Sequence, residues 1–182
     1  DVIFLSGVNQ NHSGIEIEAS AQLMSMLRID AAVSIGDWQF TGDASGNYQE
    51  DEFDSLGNVT GQTTTPYDYA LDGLYVGDMP QTAYVVGITL TPIPGLRAQV
   101  LFNMYENNYS DWGPDDREYD STDPEDVPDT EQVWKAPGYS KMDIHISYDL
   151  PEIAGLKLQA FAHLFNATDE VYVQDAVDNS QY

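Results

Sequence analysis

The stretch GIEIEASAQLMSMLRIDAAVSIGDW, residues 14–38, decides the fold. Ile15, Ile17, Ala19, Ala21 and Leu23 alternate with Glu16, Glu18, Ser20 and Gln22. Three residues later Leu27, Ile29, Ala31, Val33 and Ile35 alternate with Arg28, Asp30, Ala32, Ser34 and Gly36. Successive side chains of a strand point to opposite faces, so the stretch reads as a hairpin with one apolar and one polar face. What each face meets is the question the rest of the chain must answer.

Four more segments carry the same period. QTAYVVGITL, RAQVLFNMY, KMDIHISY and LKLQAFAHL each set apolar side chains against Gln, Asn, Asp, Ser or His. Six strands are therefore expected, roughly at 8–23, 27–40, 72–90, 97–110, 138–149 and 155–166. No segment has a helical period, so the chain is all-β, an antiparallel up-and-down meander. The connections at 24–26, 91–96 and 150–155 are short; those at about 41–71, 111–137 and 167–182 are long. Short and long alternate, so every short turn is expected at one end of the sheet and every long loop at the other. Loops this long are uncommon in compact soluble domains. Brief turns at one end and long loops at the other are the layout of an outer-membrane β-barrel. On that layout the Ile/Leu/Val face meets lipid and the Glu/Ser/Gln/His face meets a polar lumen. Trp38, Phe40, Tyr75, Tyr105, Tyr109, Trp112, Tyr139 and Tyr148 lie near strand ends, where aromatic rings suit a membrane–water boundary. The competing expectation is a soluble, acidic, cell-surface β-sandwich whose apolar face is covered by a second sheet, with Ca²⁺ or carbohydrate contacts in its loops.

Charge narrows the function. The 182 residues hold 31 acidic and six basic side chains, a net charge of −25. Nucleic-acid binding needs a basic footprint, which this chain lacks. Ten acids fall between Asp111 and Glu131 and seven between Asp43 and Asp72, which suggests solvated loops. No cysteine is present, so disulfides and thiolate metal sites are excluded. DVIFLSGVNQ lacks a basic leader and the chain does not begin with Met; a processed product or a fragment is expected.

In this order the segments resemble the C-terminal part of the barrel of a TonB-dependent outer-membrane receptor. SGIEIEASAQL at 13–23, LRIDAAVSIGDW at 27–38, VGDMPQTAYVVGITLTPIPGL at 76–96, PGYSKMDIHISYDL at 137–150 and AFAHLFNATDEVYV at 160–173 carry the resemblance. It implies a 22-stranded transmembrane barrel filled by an N-terminal plug, importing a scarce nutrient of the siderophore, cobalamin, glycan or peptide class. The implied partners are outer-membrane lipid, the chain's own plug, the TonB complex and a surface lipoprotein. No enzymatic activity is implied. The sequence departs from the family in carrying neither the plug nor the usual final strand. A plain porin is the nearest membrane alternative.

Candidate site residues lie mostly in the loop SDWGPDDREYDSTDPEDVPDTEQVW. Trp112, Tyr119 and Trp134 suit stacking on a sugar ring or a flat organic ligand. Asp115, Asp116, Asp120 and Asp123 are candidate ligands for a structural Ca²⁺, although their spacing is not that of an EF-hand; no other cofactor is expected. Glu16 and Glu18 are expected to line the lumen. His145 and His163 come from adjacent strands, but a six-residue turn at 150–155 does not place them opposite each other. Two His could start a metal site, but no third ligand is evident, and hydrogen-bonded lumen histidines are expected.

Overall fold

The computed structural model describes residues 2–152 and 154–178. The chain is all-β. Its strands are β1 (Val2–Ser6), β2 (Gln10–Met24), β3 (Leu27–Phe40), β4 (Ala44–Phe53), β5 (Val59–Tyr69), β6 (Thr82–Leu90), β7 (Leu96–Glu106), β8 (Asn108–Tyr109), β9 (Glu118–Tyr119), β10 (Lys135–Ala136), β11 (Tyr139–Asp149) and β12 (Gln159–Leu164). One helical turn, α1 (Pro114–Arg117), precedes β9.

The main sheet has six strands in the order β12-β11-β7-β6-β3-β2, and every neighbouring pair is antiparallel. This is the meander that the period-two segments demand. The register carries one face unbroken from edge to edge. Ile15 stands opposite Ile35, Ala31 opposite Val86, Val86 opposite Phe102, Val100 opposite Ile144 and Ile144 opposite Leu164. Within the six strands, Ile15, Ile17, Ile35, Val86, Ile88, Phe102 and Ile146 are all exposed, Ile15 by 68% and Ile146 by 45%. No second layer of the described chain covers this face. A soluble monomer rarely leaves so broad an apolar surface open. The other face carries Glu16, Glu18, Arg28, Asp30, Gln99, Asn103, Asp143, His145 and His163.

The three short connections converge at one end. Thr91 donates its N–H to the carbonyl of Met26 (2.8 Å), Asp149 to Gly95 (2.9 Å) and Leu150 to Leu158 (2.9 Å). At the other end the long connections are folded rather than loose. The segment expected as a loop at 41–71 contains the β4–β5 hairpin, and β1, β4, β5 and β9 form a second antiparallel sheet. A buried cluster of Phe40, Ala44, Tyr69, Leu71, Leu74 and Val133 lies here, with Trp112, Tyr75 and Tyr109 packed on it. This cap holds the apolar core that the main sheet does not have.

Three strand limits differ from expectation: β12 covers only Gln159–Leu164 of the expected 155–166, and two others have a local physical reason. The segment 72–81 is not strand; β6 begins only at Thr82. Buried Gln81 takes the place of a ladder residue, accepting from the Trp38 N–H (2.9 Å) and donating to the carbonyls of Trp38 (2.9 Å) and Val76 (3.3 Å). The expected strand at 97–110 breaks at Asn107, which has φ 54°. Beyond it β8 leaves the main sheet to pair with β10.

Gly77 marks the closest approach of segment 72–81 to the loop after β8. A Cβ there would lie 2.5 Å from the Ser110 carbonyl oxygen and 2.6 Å from the Asp111 nitrogen, both backbone atoms. Gly77→Ala is therefore expected to loosen the cap by about 1–3 kcal/mol, the ordinary cost of overpacking. Amide hydrogen exchange should quicken at residues 109–111 while β3 and β6 keep their protection.

Candidate functional site

The chemistry-bearing residues fall into two places: the acidic cap and the polar face of the main sheet. The cap is organised by one cation. Arg117 is the last residue of α1 and the single basic side chain among the ten acids of its loop. It is 1% exposed. Its guanidinium donates to the carbonyls of Asp129 (3.1 Å) and Glu131 (2.7 Å) and to the Asp178 carboxylate (2.8 Å). The Asp129 carboxylate stands 3.4 Å away. Asp178 in turn accepts from the Trp134 N–H (2.9 Å), and its own N–H reaches the Asp111 carbonyl (2.7 Å). The planar fork thus ties three parts of the chain into one body. Part of the expected terminal loop at 167–182 belongs to this body, since residues 176–178 run beside Asp111; residues 179–182 lie outside the described residues.

The three candidate aromatic residues have different roles. Trp112 packs on Phe40 (ring centroids 6.4 Å apart, edge-on) and on Tyr69 (6.0 Å). It is a structural ring of the cap, not a free platform. Tyr119 is half-buried in β9 and donates its hydroxyl to Asp43 (3.1 Å). Desolvation, then the hydrogen bond and charge of Asp43, hold that phenol above its ordinary pKa. Trp134 is 46% exposed and is the one of the three that presents a ring to solvent.

The candidate Ca²⁺ ligands are not brought together. Asp115 and Asp116 lie in the first turn of α1. Asp120 accepts from the Thr122 hydroxyl (2.6 Å) and N–H (2.9 Å), bonds that hold its carboxyl below the usual range. Asp123 accepts from the Glu125 N–H (2.9 Å). Asp120 and Asp123 each close their own short turn, as Asp side chains do in Asx turns. Among the described residues no group of three or more His, Asp or Glu side chains is placed to hold a metal ion.

The strand-end aromatics are not a girdle on the apolar face. Trp38, Tyr105 and Tyr139 project from the polar face, while Phe40 and Trp112 belong to the cap. Tyr75 and Tyr109 stack on each other at 4.3 Å, and Tyr139 stacks on Tyr172 at 4.1 Å. Of the eight, Tyr148 alone stands on the apolar face of the main sheet, opposite Leu96. Most of these rings therefore fasten loops to strands.

On the polar face Glu16 is within 3.5 Å of the Ser34 hydroxyl, and Arg28 forms a close pair with Asp30 (2.6 Å). The histidines depart from expectation. The β11–β12 connection runs from 150 to 158, longer than the expected turn, and places His145 directly opposite His163. Their Nδ1 atoms are 2.6 Å apart.

No protein-family model, curated protein or solved structure matches the chain.

Proposed function

We propose that the chain forms part of the wall of a large outer-membrane β-barrel. Its apolar face lies against acyl chains and its polar face lines a lumen. The observation that carries this reading is the apolar face itself, continuous over six strands and uncovered. Dimensions support it. Strands β2, β3, β6, β7 and β11 have nine to fifteen residues, and about 9–11 residues suffice to cross a bilayer at the usual tilt. Among the described residues both edges of the sheet, β2 and β12, have one neighbour each. Edges left so are where further strands of a barrel would join.

Within that class the reading is the C-terminal barrel segment of a TonB-dependent receptor, serving uptake of a scarce nutrient. The order of its strand motifs and its strict alternation of short turns and long loops support it. The acidic cap would be the extracellular surface. Its negative field favours neutral or cationic cargo, and Trp134 and Phe53 are exposed aromatic rings on it. Plug, TonB complex and a surface lipoprotein would be the partners. The chain would act by transport and not by catalysis.

Transfer from denaturant separates this reading from a soluble sandwich. The chain is expected to develop its full β-sheet circular dichroism only when diluted into detergent micelles or bilayers. A monodisperse, sheet-rich chain in plain buffer would contradict it.

A further inference from the structure

His145 and His163 are directly opposed on antiparallel strands, on the polar face of the sheet. Cβ atoms of such a pair lie about 4.5–5.5 Å apart, so both rings reach the same point in space. Their Nδ1 atoms approach to 2.6 Å and their centroids to 4.8 Å. His145 is half-buried and His163 is exposed, so the gap between them is open to water. Phe161 and Phe165 flank His163 on the same face, and Phe165 lies edge-on to His145 at 5.6 Å. These rings limit how far either imidazole can turn away. Gln99 stands opposite His145 on β7, on the side away from His163.

We propose that this pair is a two-imidazole site for a borderline divalent transition-metal ion, Cu²⁺ foremost, with Zn²⁺ as a weaker occupant. Imidazole nitrogen is the preferred donor for these ions, and Cu²⁺ leads the affinity order for such ligands. Metal–nitrogen bonds of about 2.0–2.1 Å put two cis nitrogens roughly 2.9 Å apart on a tetragonal Cu²⁺ and roughly 3.3 Å apart on a tetrahedral Zn²⁺. The present contact opens to either spacing by small rotations about χ1 and χ2. One facing Nδ1 must carry the hydrogen that joins the rings. On binding, that hydrogen leaves Nδ1 and the ring takes its Nε2–H tautomer, so each Nδ1 offers a lone pair and no net proton is released. Water completes the coordination, with the Gln99 amide oxygen as a further donor on the face. Such a site is open and exchangeable, unlike the closed four-ligand sites that hold folds together. Arg97 shares the groove with the two imidazoles and weakens the site. The net charge of −25 acts the other way, concentrating cations around the chain. The site depends on the β11–β12 register and not on what lies against the apolar face.

The test is Cu²⁺ titration of the whole chain in detergent, with millimolar Mg²⁺ present to occupy the acidic loops. Mg²⁺ prefers oxygen donors and leaves imidazole free. Electron paramagnetic resonance should show one tight Cu²⁺ per chain with two coordinated nitrogens. Either His145→Gln or His163→Gln should weaken that binding on the order of a hundredfold, the loss expected when a pre-placed second donor is removed. His12→Gln should leave it unchanged, since His12 stacks on Trp38 at 5.1 Å elsewhere on the face. A wild-type spectrum with one nitrogen or none overturns the proposal without any variant. Undiminished affinity in both His145→Gln and His163→Gln overturns it equally.

Discussion

Arg117→Ala is expected to open the acidic cap while the six-stranded sheet stays intact. The substitution removes the cation from a site where its side chain is 1% exposed. Asp178 is then left with the Trp134 N–H alone, and the carbonyls of Asp129 and Glu131 lose the guanidinium donor. Breaking a buried pair by deleting one partner costs about 3–5 kcal/mol, because the remaining charge stays desolvated. The backbone bonds between Asp111 and residues 176–178 remain, but among the described residues Arg117 alone joins α1 to the Asp129–Glu131 carbonyls and to Asp178, so the loss should fall on the cap. A protease that cuts after Glu or Asp should cleave between Asp111 and Glu131 within the time that leaves the wild-type chain whole. Sheet circular dichroism should change little. Arg117→Lys should rescue only part of the protection, since one ammonium cannot span two carbonyls and a carboxylate in the same plane. Equal protection of wild type and Arg117→Ala would remove Arg117 from the centre of the cap.

The second large effect concerns the faces of the sheet. Val86 stands in the middle of the apolar face between Ala31 and Phe102. Ser20 stands on the polar face of β2, opposite Asp30, which pairs with Gly87 beside Val86, so the two positions lie at similar depth. Against lipid, Val86→Arg should cost about 2–4 kcal/mol, the penalty for a cation near the bilayer midplane. Ser20→Arg faces water and should stay within about 0.5 kcal/mol of wild type, as surface substitutions usually do. Urea titration of the chain in bilayers reads both. If Val86→Arg proves no worse than Ser20→Arg, the apolar face does not meet lipid.

The main sheet was legible because its signal is local. Alternation in β2, β3, β6, β7 and β11 fixes which side chains share a face, and short turns fix which strands are neighbours. The β4–β5 hairpin was not legible for the opposite reason. ASGNYQEDEF and VTGQTTTPYDY have few apolar residues to alternate. Their pairing is supported by polar cross-strand bonds, such as Gln62 to Asp51 (2.8 Å) and the Thr60 hydroxyl to the Glu52 carbonyl (3.1 Å). Arg117 carries one local signal: a lone cation inside a run of ten acids is a candidate organiser of that run. Its partner Asp178 lies 61 residues away, and no local pattern joins them. The facing of His145 and His163 hinged on the length of one connection. The residues 150–158 contain Pro151 and Gly155, and composition shows that they turn without showing how many residues the turn consumes.

The central claim is that the two faces of one sheet meet two different solvents. The chain has no cysteine, so single cysteines can be placed in turn along β6, Thr82–Leu90, and spin-labelled in lipid bilayers. Collision with membrane-dissolved oxygen should peak at 84, 86 and 88. Collision with a water-soluble nickel chelate should peak at 85, 87 and 89. Oxygen and nickel profiles that rise and fall together along β6, without this two-residue opposition, would contradict the account.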